Sequence, residues 1–359
     1  MINKTDSFLG ANTPSGFVSL FDELYDPYKE SRMYIIKGGP GTGKSSFMKK
    51  IANTAIEKGL ETEFVHCSSD PDSLDAVIIP SLSFAIADGT SPHIVEPKFP
   101  GAVENIINLG MFWDQAKMHD DADEIRRLTL ENSIYHRRSS RFLSAAGTLI
   151  EESARLFGDS VMEEKLNGFA VRFCMREFPK KKSGKPGSKK LRFLSGITPK
   201  GVMMYDETFD ALSSRVIAIE DEYSCIAGEL IERIGEGAVK NGYDVIFCPC
   251  PMKPKSYCEH IIIPEASLSI ITLKSQHKTN LKPNRTIHTK RFMSDDVLRK
   301  RKNRLDFNRK LTTELIGQSV EMLKNAKTTH DELEAHYIDK MNFDLMKEFT
   351  DEFIEKLFQ

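Results

Sequence analysis

The chain repeats itself. Phe193-Leu194-Ser195-Gly196-Ile197-Thr198-Pro199-Lys200-Gly201 restates Phe8-Leu9-Gly10-Ala11-Asn12-Thr13-Pro14-Ser15-Gly16 at an offset of 185 residues, with five of the nine positions identical. Gly59, Phe64, Cys67 and Pro71 match Gly242, Phe247, Cys250 and Pro254 at an offset of 183, and Ile78-Ile79-Pro80 matches Ile262-Ile263-Pro264 at 184. Spacing this constant across three segments marks a tandem duplication of one α/β unit. Whatever fold the first half adopts, the second is expected to adopt too. At 359 residues the chain also exceeds one comfortable hydrophobic core, so two domains are expected.

The first half carries a glycine-rich loop in a telling place. Gly38-Gly39-Pro40-Gly41-Thr42-Gly43-Lys44-Ser45, followed by Ser46, lies between the β-branched and aromatic run Met33-Tyr34-Ile35-Ile36 and a helical pattern of Phe47, Ile51 and Ile56 that Gly59 stops. The spacing is that of a Walker A phosphate loop. Gly38, Gly41 and Gly43 permit backbone angles and close approaches that a Cβ would forbid, so successive N–H groups can point at phosphate oxygens. The helix N-terminus adds its dipole. Lys44 is expected to reach the β- and γ-phosphates, and the Ser45 hydroxyl to complete a magnesium shell.

The duplication separates scaffold from chemistry. At the matching place the second half keeps the strand Val216-Ile217-Ala218-Ile219 and the helical pattern of Leu230, Ile231, Ile234 and Val239, but its loop reads Glu220-Asp221-Glu222-Tyr223-Ser224-Cys225-Ile226-Ala227-Gly228. Lys44 corresponds to Ala227, Gly43 to Ile226 and Gly38 to Asp221. The lysine is gone and acids have come in, so the second loop is expected not to bind phosphate in the same way. In the first half, Leu82-Ser83-Phe84-Ala85-Ile86-Ala87 ends in Asp88, placed like a Walker B acid at a strand's C-terminal edge. Its counterpart is Thr272, so the acid disappears together with the lysine. Asp70 and Asp72 are rival acids. No glutamate follows Asp88, which leaves the hydrolytic base to come from elsewhere or the γ-phosphoryl to pass to a bound acceptor. His93 lies near the same strand end, but its counterpart His277 puts it with the scaffold.

Beyond Leu109 the pattern turns helical, with an interruption near His119-Asp120-Asp121 and an apolar stripe of Ile134, Phe142, Ala145, Ala146, Leu149, Ser153 and Phe157. Arg138 falls inside that stripe and is a candidate γ-phosphate contact made in cis, flanked by Arg137 and Arg141; a snorkelling arginine is the plainer reading. Aligning Leu315 with Phe142 makes its counterpart Leu311. Phe178-Pro179-Lys180-Lys181-Lys182-Ser183-Gly184-Lys185-Pro186-Gly187-Ser188-Lys189-Lys190 has no apolar face and reads as a linker. Cys248, Cys250, Cys258 and His260 could ligate zinc, but Cys250 already has a scaffold counterpart in Cys67, and Cys248 and Cys250 would share one strand face. Arg299-Lys300-Arg301-Lys302-Asn303-Arg304 reads as a solvated basic helix rather than a nucleic-acid contact.

A formal charge of −2 argues against a nucleic-acid coat, and six cysteines without a secretory signal read as reduced thiols in a cytoplasmic protein. No apolar stretch is long and unbroken enough for a membrane span. The phosphate loop, the Phe-Leu-x3-Thr-Pro-x-Gly signature in both halves, and the segment His66-Cys67-Ser68-Ser69-Asp70-Pro71-Asp72-Ser73-Leu74-Asp75 with Ala87-Asp88-Gly89-Thr90 resemble a family of tandem P-loop ATPase-like proteins of Gram-positive bacteria. The resemblance covers nearly the whole chain and implies ATP binding and a duplicated P-loop fold. Both phosphate loops often look intact in that family, and this chain departs from it in the second.

The expected architecture is α/β, with two tandem P-loop NTPase-like domains, each a mainly parallel sheet flanked by helices, the second one degenerate. Residues 1–178 form the nucleotide-binding domain with a helical C-terminal extension, 179–191 a basic linker, and 192–359 the degenerate repeat with its own helical extension. Mg-ATP or Mg-GTP is expected at one site and slow hydrolysis is the expected reaction; phosphotransfer to a small molecule and a nucleotide-operated binding switch are the alternatives. A protein partner or homo-oligomer is left open.

Overall fold

A computed structural model describes residues 4–28, 31–91, 94–158, 160–221, 226–274 and 279–359, except the side chains of 295–298. The first half runs β1 (Lys4–Phe8), β2 (Gly10–Thr13), β3 (Gly16–Ser19), β4 (Arg32–Lys37), α1 (Lys44–Glu57), β5 (Thr62–His66), β6 (Leu74–Ile79), β7 (Phe84–Asp88), β8 (Glu104–Asn108), α2 (Gln115–Asp120), α3 (Ala122–Gly158) and α4 (Glu163–Glu177). The second half runs β9 (Lys189–Leu191), β10 (Ser195–Thr198), β11 (Gly201–Met204), α5 (Asp206–Leu212), β12 (Arg215–Glu220), α6 (Ala227–Lys240), β13 (Val245–Cys250), β14 (Lys253–Ile263), β15 (Leu268–Leu273), β16 (Arg285–His288), α7 (Asp295–Ile338) and α8 (Phe343–Leu357).

The duplication holds strand by strand. One six-stranded sheet has the order β1-β5-β6-β7-β4-β8 and the other β9-β13-β14-β15-β12-β16. In each, the third strand runs antiparallel to both neighbours and the remaining pairs are parallel. The sheets are therefore mixed, with five strands of each running one way and one the other. The reason lies in connection length: seven residues separate β5 from β6 and four separate β6 from β7, too few for the crossover a parallel neighbour needs. β9 lies inside the stretch expected to be linker and pairs with β13 as an edge strand, so its residues are fixed by main-chain bonds and by Leu191, which packs against the second half's core.

The repeated signature sits where the halves meet. Phe8 N–H donates to Phe193 O (2.8 Å) and Phe193 N–H donates to Phe8 O (3.0 Å), so the two copies pair with each other about a local dyad. Asn12 Nδ2 donates to Ile197 O at 2.9 Å. Phe8, Ala11, Phe193 and Tyr205 form a small buried cluster around this junction.

The long helices exchange. α3 and α7 lie antiparallel along each other, with Ser139 bonded to Ser319, Asn132 to Ala326 O and Asn308 to Ser153. They carry each half's last helix to the other half's sheet. α4 buries Leu166, Ala170, Phe173 and Cys174 against α6 and the second sheet. α8 presents Met346, Phe349, Phe353 and Leu357, an i, i+3, i+7, i+11 stripe, to α1 and the first sheet. Phe353 meets Phe47 and Tyr34 at ring distances of 5.3 and 5.0 Å. Main-chain bonds stitch both crossings: Asn342 N–H to Phe112 O and Asp114 N–H to Lys340 O at one end, Met162 N–H to Phe292 O and Ser294 N–H to Ser160 O at the other. The helical extension of each repeat thus packs on the opposite sheet. No helix among the described residues is long and apolar enough to cross a membrane.

Candidate functional site

β4 ends at Lys37 and α1 begins at Lys44, with the glycine-rich loop as the turn between them. Gly41 (φ 67°) and Gly43 (φ 81°) lie in the left-handed region, where a Cβ is strained. Thr42 is fully buried and its hydroxyl donates to Gly39 O at 2.8 Å; a Cβ on Gly38 would lie 2.7 Å from that hydroxyl oxygen. Pro40 is half-buried in the turn, and Ser46 is exposed on the first turn of α1.

Lys44 Nζ donates to Gly38 O (3.0 Å) and Gly39 O (2.6 Å) and lies 3.6 Å from Asp88 Oδ2. The other Asp88 oxygen accepts from Thr90 N–H (2.8 Å) and Thr90 Oγ1 (2.6 Å), which fixes the carboxylate at the end of β7. Ser45 Oγ accepts from Leu74 N–H at 3.0 Å. The rival acids are engaged elsewhere: Asp70 with Lys327 and Asp72 with Lys200, both partners belonging to the second half.

Asp75 is an acid that sequence reasoning passed over. It is 4% exposed and shares the parity of Val77 and Ile79, which pack on the α1 side. It precedes Ala76, whose cross-strand partner Ala87 precedes Asp88. The two carboxyl-bearing positions are therefore neighbours on adjacent strands of one face. Its counterpart Glu259 is also an acid, so Asp75 does not stand out when the two repeats are compared.

The loop is covered by the far end of the chain. Gly41 N–H donates to Glu334 Oε1 at 3.3 Å. A Cβ on Gly39 would lie 2.4 Å from Tyr337 Cε1, one on Gly41 2.7 Å from Glu334 O, and one on Gly43 2.6 Å from Met346 Cε. Three of the glycines thus admit α7 and α8 as well as any ligand. Nothing in the sequence signals this, because glycine spacing does not say what approaches. Gly39→Ala should cost about 1–3 kcal/mol by overpacking, read as a lower melting temperature, and Gly39→Ala/Tyr337→Ala should recover part of the loss.

The second loop has a different ending. Asp221, 3% exposed, accepts from Ile226 N–H (2.9 Å) and Ala227 N–H (2.8 Å) through Oδ2, with Tyr257 Oη at 3.3 Å. A carboxylate of the loop itself sits on the amides at the start of α6. A Cβ on Gly228, the counterpart of Ser45, would lie 2.4 Å from the Tyr257 ring. Residues 222–225 of this loop, and His93 and His277, lie outside the described residues.

Arg138 is not brought to the loop. It is exposed on α3, with its guanidinium 6.0 Å from the Tyr135 ring. The buried seam of α3 is Leu128, Ser139, Leu143, Ala146, Gly147, Ser153 and Phe157, rotated from the expected stripe because the partner is a second helix with serines and small residues at the contact; Ile134 is 38% exposed. The last helices match at an offset of 180, Glu163–Glu177 with Phe343–Leu357, which sets the counterpart of Arg138 at Gln318, not Leu311. Cys248 and Cys250 face different core clusters, because bulges on either side of Pro249 turn the strand over between them. Arg301 donates to Leu156 O, and Arg304 lies 3.7 Å from Glu152, both leaning on α3. Comparisons with protein-family models, with curated proteins and with solved structures found no match.

Proposed function

We propose that the first half binds one magnesium–nucleoside triphosphate, ATP or GTP, and hydrolyses it slowly. The observation that carries this reading is the turn from β4 into α1: glycines at left-handed φ before a 14-residue helix, with Lys44 beside Asp88 at the sheet's edge. Loop amides and the helix N-terminus suit an anion, and Lys44 suits the β,γ-phosphates. Ser45 and Asp88, with Asp75 next to Asp88, are oxygen donors of the kind magnesium prefers, and the metal would neutralise charge on the β- and γ-oxygens. Slow turnover fits Gly89, which follows Asp88 where a water-activating glutamate stands in faster enzymes. The family resemblance points the same way. The degenerate loop, already holding Asp221, is read as a pseudo-site.

One bound nucleotide per chain is the expected stoichiometry. At about a hundredfold excess over Kd the melting temperature should rise by roughly 5 °C. Two equivalent nucleotides per chain in a calorimetric titration would overturn the one-site reading. Steady phosphate release marks hydrolysis, and transfer to an added acceptor marks a kinase.

A further inference from the structure

We propose that Glu334 is an internal competitor for the phosphate loop, so that nucleotide binding must lift the end of α7 off the first half. This rests on nucleotide binding at Gly38–Ser45. Glu334 places a carboxylate oxygen 3.3 Å from the Gly41 amide, a group that the loop's geometry directs at an anion. Glu334, Tyr337 and Ile338 stand at i, i+3 and i+4 on one face of α7, and all three lie against the loop glycines. A triphosphate and this face of α7 compete for the same space.

The two halves place a carboxylate on different amides of this turn: on Gly41 in the first, and on Ile226 and Ala227, the counterparts of Gly43 and Lys44, in the second. Asp221 caps its own helix through two short bonds and is almost wholly buried, so those two amides already hold a carboxylate. Glu334 makes one longer bond to the loop, the same oxygen lies 3.7 Å from His330 Nδ1, its side chain is 35% exposed, and it comes from 293 residues away on a helix that starts beside the second sheet. A triphosphate brings more negative charge than one carboxylate and engages several amides together with Lys44. The exchange therefore favours the nucleotide, and its effect is carried along α7 towards the second half.

The chain contains its own reporter. Trp113 is its sole tryptophan, and its ring lies 6.0 Å from that of Tyr337. ATP is titrated into the full-length wild type and Glu334→Gln with magnesium present, followed by tryptophan emission and, separately, by calorimetry. The expected result is an emission change in the wild type and a Kd about tenfold lower in the isosteric, uncharged variant. Calorimetric binding with unchanged emission and equal affinities would overturn the proposal and leave the nucleotide site standing. Weaker binding by Glu334→Gln would also overturn it, since the carboxylate would then assist the ligand. No binding by either protein would remove both the proposal and the functional reading on which it rests.

Discussion

Lys44→Ala is expected to abolish the ATP-dependent rise in melting temperature and to weaken binding by about 100-fold. The ammonium group is the fixed positive charge of the loop. Charge-assisted hydrogen bonds of this kind contribute about 1.5–3 kcal/mol each, and Lys44 would make more than one to the β- and γ-phosphates. Without nucleotide the variant should look nearly normal. Lys44 then holds Gly38 O and Gly39 O and faces Asp88, groups at a partly open edge where water can replace it, so the loss is about 1 kcal/mol. The contrast between small apo destabilisation and large loss of ligand stabilisation is what marks the lysine as a ligand contact. Equal loss in both states would make it a structural residue.

Arg192→Met is expected to be the most destabilising of these changes, by about 3–5 kcal/mol in urea denaturation. Arg192 is 3% exposed and Glu63 6% exposed. Arg192 binds both Glu63 oxygens, Nη2 at 3.1 Å from Oε2 and Nε on Oε1. Lys190 lies 2.9 Å from Oε2, and Ser7 Oγ donates to Oε1 at 2.8 Å. Glu63 belongs to β5 and both cations to the second half, so the cluster ties one half to the other. Methionine fills space but leaves a buried carboxylate with half its counter-charge. Burial pushes the Glu63 carboxyl up, yet the charges of Arg192 and Lys190 outweigh it and hold the group well below the usual 4.5. With the folded value depressed, its stabilisation is complete above pH 4.5 and declines as pH falls below it. In Arg192→Met burial meets less opposition, so acid unfolding should begin at higher pH. An unchanged urea midpoint would show that the cluster is dispensable.

Much of this was legible in residues, and the parts that were not have identifiable causes. The offset of 183–185 announced two copies of one fold, and the copies agree in strand order. The loop between Ile36 and Phe47 lies where its flanking patterns put it, and Asp88 came to Lys44 as its strand position implied. The antiparallel strand β6 was readable in principle, since Cys67–Ser73 is too short for a crossover. The helix exchange was not. Periodicity tells that Phe349, Phe353 and Leu357 form an apolar face, but not which sheet that face covers, because either sheet is apolar enough to receive it. Arg138 failed for a related reason: the stripe through Ile134 and Phe142 does not say what the helix packs on, and α3 rests on α7 and turns Ser139 and Leu143 inward. Asp75 carried no comparable signal, because its counterpart Glu259 is also an acid, and an acid present in both repeats can still serve chemistry in one.

The exchange of α4 and α8 bears on the order in which the chain can finish itself during synthesis. The first sheet emerges before α7 and α8, with Phe47, Tyr34 and the glycine-rich loop lacking the helices that cover them. They stay uncovered until α8, at Phe343–Leu357, leaves the ribosome. The second sheet has no such wait, since α4 is translated before the strands it covers. The glycine-rich loop is thus made well before the helices that enclose it.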